Sequence, residues 1–258
     1  MLEAKALASA LRQAIGDMQA APSSGLKDVQ RLAVLGRDVN EKAIAFLSEL
    51  PPFVSERPYV ALQLIRAAFD HGRGLLYLLE TNPHDLAGSA LALFRSQIEN
   101  FLRGAFLGFL ASDEELEAFL TAPEGIFAKS ENGQLERISP KRLAKRVTEL
   151  VDRTAEMPDG EQSSLAKMVE AAWSPLCGFV HGGATIHEFY RDRNWEIGSN
   201  FPPPVLIRSI GSCYAITNLA FCLLIAHVHE LDGIPNESPL ARAMEEFMRE
   251  YRLLRARH

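Results

Sequence analysis

Apolar residues recur at three- and four-residue intervals along most of the chain. Leu26, Val29, Leu32, Val39, Ala43, Phe46, Leu47 and Leu50 form the first series, and Pro51 with Pro52 ends it. At about 100° of turn per residue this spacing gathers the side chains on one face, so an amphipathic helix is predicted. A second helix, Pro58 to Glu80, carries Leu62, Ile65, Phe69, Leu76 and Leu79. Asn82-Pro83 then reads as an N-cap followed by proline at the first helical position. The helix it opens, His84 to Ala111, aligns Leu91, Phe94, Ile98, Phe101, Ala105 and Phe109, with Leu102, Phe106 and Leu110 widening the stripe. A stripe that wide implies neighbours on more than one side.

Ser112 precedes three acids, and Glu115 stands where a capping box needs it, so a new helix starts there. Residues Thr121 to Ser139, rich in Pro, Gly and polar side chains, predict a loop or short hairpin turning at Asn132-Gly133. Ser139-Pro140 starts a helix to about Glu156. Another runs from about Glu161 toward a break at Pro175 and a stop at Gly182-Gly183. Ala184 to Pro204 reads as an irregular segment whose Phe189, Tyr190, Trp195 and Phe201 fold back over the helices, Trp195 at least partly covered. A long apolar helix from Val205 to about Leu231 and an amphipathic one after Ser238-Pro239 complete the chain. No strand alternation and no repeat stand out. The expected fold is all-α: an antiparallel helical bundle with a long central apolar helix and a long irregular loop. One helical domain should span 1–258, with N-terminal helices (1–57) packed on a core bundle (58–231) and a C-terminal amphipathic helix (232–258).

Composition narrows the setting. With 258 residues, 47% of them hydrophobic, the chain can bury a sizeable core. A net charge of -6 argues against a general nucleic-acid binder. Glu3, Lys5, Arg12 and Asp17 interrupt the N-terminus, which therefore lacks the apolar region of a signal peptide. Cys177, Cys213 and Cys222 show no metal or CxxC spacing and read as reduced core residues. Ser209 to Ala226 carries no charge, yet Ser209, Gly211, Ser212, Thr217 and Asn218 suit a helix packed on all sides by protein, with Asn218 hydrogen-bonded internally. The expectation is a soluble cytoplasmic protein without membrane contact.

Few residues invite chemistry. His227 and His229 fall about 200° apart on a helix and cannot face one ion. His181, His187 and Glu188 flank a glycine pair without a further ligand at a helical offset, so neither metal nor cofactor is expected. No nucleophile elbow or phosphate loop is present. The arginines at 249, 252, 255 and 257 sit where a helix dipole favours cations.

The segments LFRSQIENFLRGAFLGFLASD (93–113) and WSPLCGFVHGGA (173–184) resemble an uncharacterised bacterial all-helical family loosely related to HEPN and AbiV-type abortive-infection proteins. In that group an arginine and a glutamate one turn apart on a helix recur with a distant W..L...H.G segment; here these are Arg95, Glu99 and His181. The resemblance covers roughly Leu86 to Ala226 and implies a helical bundle, frequent dimerisation and occasional roles in phage defence. HEPN ribonucleases carry arginine, four to six residues, then histidine, and Arg66 and His71 have that spacing, although Ala67 stands where active members have a polar residue. The resulting expectation is a non-catalytic interaction or oligomerisation module, a homo-oligomer open to a protein partner. The alternative is a dimeric, metal-independent ribonuclease acting on RNA through Arg66 and His71. Arg95 lies on the flank of its buried face, so Arg95, Glu99 and His181 are expected to form a bridge between two helices or to line a binding site.

Overall fold

The computed structural model describes residues 23–49, 55–122, 125–130, 132–154, 165–190, 199–228 and 238–258. Residues 1–22, Leu50, His229 and Trp195 lie outside them, so the readings made there stay with the sequence. Nine helices are described: α1 Ser23–Ser48, α2 Glu56–Thr81, α3 Ala87–Phe109, α4 Asp113–Thr121, α5 Pro140–Thr154, α6 Leu165–His181, α7 Ala184–Tyr190, α8 Pro203–Val228 and α9 Pro239–Arg257. A two-stranded antiparallel hairpin, β1 Phe127–Lys129 and β2 Leu135–Arg137, follows α4 and turns through Gly133, whose φ of 77° a side-chain-bearing residue seldom adopts.

Cross-helix contacts give the directions. Gly72 faces Gln97, Gly74 faces Leu93 and Gly104 faces Ile65, so α2 and α3 run antiparallel. Asn40 beside Gly72, and Gly36 beside Leu76, set α1 antiparallel to α2. The apolar helix α8 lies among α1, α2, α3, α5 and α9. It runs in the same direction as α1, since Gly25 meets Pro203 and Asn40 meets Thr217. Helix α9 returns antiparallel, with Phe247 stacked on Tyr214 and Tyr251 against Gly211.

One apolar core joins all nine helices, and Ile65, Phe69, Leu76, Ile98, Phe101, Phe106 and Phe221 are among its fully buried side chains. The capping box forms as its sequence dictates: Ser112 accepts from the Glu115 amide while the Glu115 carboxylate accepts from Ser112 N at 2.6 Å. Burial would push the Glu115 carboxyl up, but the Ser112 and Lys129 amides and Arg146 hold it below its ordinary value.

Several expectations change. Asn82 caps a turn, not the helix itself. Its side chain accepts from Asp85 N at 3.1 Å, and α3 begins later, at Ala87. Pro175 lies inside α6 without ending it: proline removes one backbone donor, and burial of Leu176 and Val169 outweighs that loss. The aromatic segment is not wholly irregular, because residues 184–190 form α7. Phe189 is buried and stacks on Phe201 at 4.8 Å, with Tyr190 edge-on to the same ring. Helix α8 is not covered all round. Leu206, Ile210, Cys213, Thr217, Phe221 and Leu224 face the core, whereas Arg208 and Cys222 are exposed and Ser212, Ala215, Asn218 and Leu219 half-buried. Asn218 thus lies on the open face, where its amide oxygen is 3.8 Å from the Cys222 thiol. By length and composition α8 is able to cross a membrane, but its buried face belongs to this core. Of the three cysteines only Cys213 is buried; burial pushes its thiol up to about 12.

Candidate functional site

Four groupings of polar side chains or open space stand out. The first joins the residues singled out from the sequence. Helix α3 presents Arg95 on the flank of its buried face, and α6 brings His181 on its last turn. Arg95 Nη1 donates to His181 Nε2 at 3.0 Å, and the Arg95 guanidinium lies 5.2 Å from the centre of the Trp173 ring. A guanidinium only donates, so the bond requires the neutral His181 tautomer with its proton on Nδ1. Glu99 pairs more closely with Arg103, at 2.5 Å, than with Arg95, at 3.9 Å. The arrangement ties α3 to α6 through a hydrogen bond and a cation–π contact, and it leaves the buried Arg95 Nε–H without a partner.

The second grouping surrounds Arg66 and His71 on α2. Five residues apart, the two point about 140° away from each other. Arg66 Nε donates to Asp70 at 3.1 Å, and Arg73 reaches the same carboxylate at 3.0 Å. His71 is half-buried; burial lowers its imidazole below 6.5 against the pull of Asp70. The carboxylate between them neutralises the cation that the ribonuclease reading requires.

The third is a buried polar junction that the sequence reading missed. Asn40, Gln97 and Thr217 are fully buried where α1, α2, α3 and α8 meet. The Gln97 amide donates to Cys213 O at 3.2 Å and lies 3.3 Å from Thr217 Oγ1, which is itself 3.2 Å from Asn40 Oδ1. Gln97 Oε1 is left without a partner. Its position inside the stripe of Phe94, Ile98 and Phe101 was the available signal.

The fourth is a cavity of about 290 Å³ between α3, α6, α7 and α8. Leu91, Phe94, Leu176, Phe179 and Phe189 are among its apolar lining, and Arg208, Ser209 and Ser212 supply its polar side chains. Arg208 could have been noticed as the last charge before the uncharged run of α8. No group of three or more metal-type ligands occurs among the described residues. His187 and Glu188 are exposed, and the His227 side chain lies outside the described set.

Residues 65–252 match the family of unknown function DUF6988. The chain belongs to this family. Neither curated proteins nor solved structures yield a match. The DUF6988 match takes in Arg66, His71, Arg95, Glu99, His181 and Arg208, whereas α1 falls outside it. It brings no link to HEPN or AbiV-type proteins.

Proposed function

We propose that this DUF6988 protein is a non-catalytic interaction module that works as a homodimer, with the open face of α9 as its contact surface. One observation supports the reading: the exposed groups along this face are spaced so that a second copy set antiparallel to it would meet opposite charges and apolar side chains. Helix α9 leaves Met244 and Met248 half-buried and Glu245, Arg249, Arg252, Leu253 and Ala256 exposed, around a hollow floored by Tyr214. Leu253 is 57% exposed, a large apolar side chain for a surface. If a second α9 lies antiparallel across a two-fold axis near Met248 and Arg249, Glu245 faces Arg252 of the copy and Met244 faces Leu253 of the copy. Each contact then occurs twice, as an isologous interface requires. Neither Glu245 nor Arg252 has an ion-pair partner within its own chain among the described residues, so the charges are free for a copy. The reading takes the protein as soluble and cytoplasmic, with α8 inside the bundle, in the defence or stress setting that the AbiV-type resemblance implies.

Sedimentation equilibrium tests it. The 28.6 kDa chain should sediment at twice its mass, and Leu253→Asp should return it to a monomer with an unchanged helical spectrum. A monomeric wild-type protein at tens of micromolar overturns the proposal. The ribonuclease reading predicts instead that purified protein degrades total RNA and that His71→Ala abolishes the activity; the Arg66–Asp70 pair disfavours it.

A further inference from the structure

The cavity between α3, α6, α7 and α8 combines an apolar interior with one cation among the described residues, Arg208, and that combination selects a ligand class. We infer that it binds an amphipathic monocarboxylate, with the apolar body among Phe94, Leu176, Phe179 and Phe189 and the carboxylate on Arg208. The wall supplies the first half of the argument. Aromatic and aliphatic side chains from four helices line this half-open space, as in sites that bury the apolar part of a small molecule. At roughly 30 Å³ per water-sized group, about 290 Å³ takes about ten non-hydrogen atoms.

Arg208 supplies the second half. It is exposed, borders this cavity, and has no carboxylate partner among the described residues, and the other polar side chains of the lining, Ser209 and Ser212, are neutral. A guanidinium offers a planar fork of donors that matches a carboxylate. Ser209 spends its hydroxyl proton on Val205 O at 2.9 Å, while Ser212, one turn beyond Arg208, is a second donor toward the same space. A cationic ligand is disfavoured by Arg208, and a neutral alcohol leaves the guanidinium unused.

Titration calorimetry with decanoate, decanol and decylamine, all below their aggregation limits, tests the assignment. Decanoate should bind with one site per chain, and decanol and decylamine at least tenfold more weakly. Arg208→Gln should weaken decanoate about tenfold, as loss of a charge-assisted hydrogen bond implies, and leave decanol unchanged. Ala171→Phe, which fills the cavity from α6, should abolish binding of both; thermal melts establish that both variants fold. No saturable decanoate binding, equal affinity for decanoate and decanol, or decanoate binding indifferent to Arg208→Gln each overturns the inference. Leu253→Asp should not alter decanoate affinity, so this result is independent of self-association.

Discussion

Gly72 sits at the tightest point of the polar junction, and alanine there should be costly although alanine is the better helix former. An added Cβ would lie 2.6 Å from Gln97 Nε2 and 3.2 Å from Asn40 Oδ1, both in fully buried side chains. Something must move. If Gln97 withdraws, its two donated hydrogen bonds are lost, at about 1 kcal/mol each. If it stays, overpacking costs about 1–3 kcal/mol. The helix-propensity gain of Gly to Ala returns about 1 kcal/mol. The net expectation is destabilisation by about 1 kcal/mol if Gln97 withdraws and by up to about 2 kcal/mol if it stays. Gly74, two residues along the same helix, is the control: its Cβ would meet only Leu93 Cδ1 at 3.1 Å, the end of a flexible side chain. Gly74→Ala should therefore be neutral or stabilising by up to about 1 kcal/mol. Urea unfolding followed by circular dichroism measures both midpoints, with a shared slope as the check on two-state behaviour. In a Gln97→Ala background, Gly72→Ala should lose most of its penalty. Equal stability of the two glycine variants, or an undiminished penalty in that background, would refute the reasoning.

Two further predictions follow from the titratable and bridging groups. Because burial holds the His71 imidazole below 6.5 in the folded chain, the neutral ring stabilises the fold above that pH, and the contribution is lost as pH falls from 6.5 toward the lower folded value. His71→Gln should flatten the decline of Tm between about pH 7 and pH 5; an identical slope would show that His71 does not titrate in its buried setting. Glu99→Gln and His181→Ala should each lower Tm through loss of support for Arg95, and the double variant should lose less than the sum. Strict additivity would separate Glu99 from the Arg95–His181 contact.

Much of the fold was legible because its signals are local. Apolar spacing located the long helices, and Ser112, Ser139 and Ser238 marked helix starts through side-chain caps that form as expected. The Arg95–His181 contact was legible for a related reason: the helical phase of Arg95 put it at the edge of a buried face, where a guanidinium needs a partner. What escaped depends on which helices meet. Gln97 is apolar by position and polar by chemistry, and only the arrival of Thr217 and Asn40 from distant segments explains it. The open face of α8 escaped because an uncharged run reads the same whether neighbours cover one side or all of it. Pro175 misled because its cost is local, whereas the packing that overrides it is tertiary.

Self-association through α9 is the central claim, and a charge-reversal cycle tests it most directly. In the two-fold arrangement Glu245→Arg alone sets two arginine pairs against each other, and Arg252→Glu alone sets two glutamate pairs. The double reversal restores opposite charges across the axis. Dimer dissociation constants from sedimentation equilibrium should rise at least tenfold for each single variant, as like-charge juxtaposition across an interface implies. They should return to within a few-fold of wild type in the double variant. Single reversals that leave the dissociation constant unchanged, or a double reversal no better than the singles, would contradict the account.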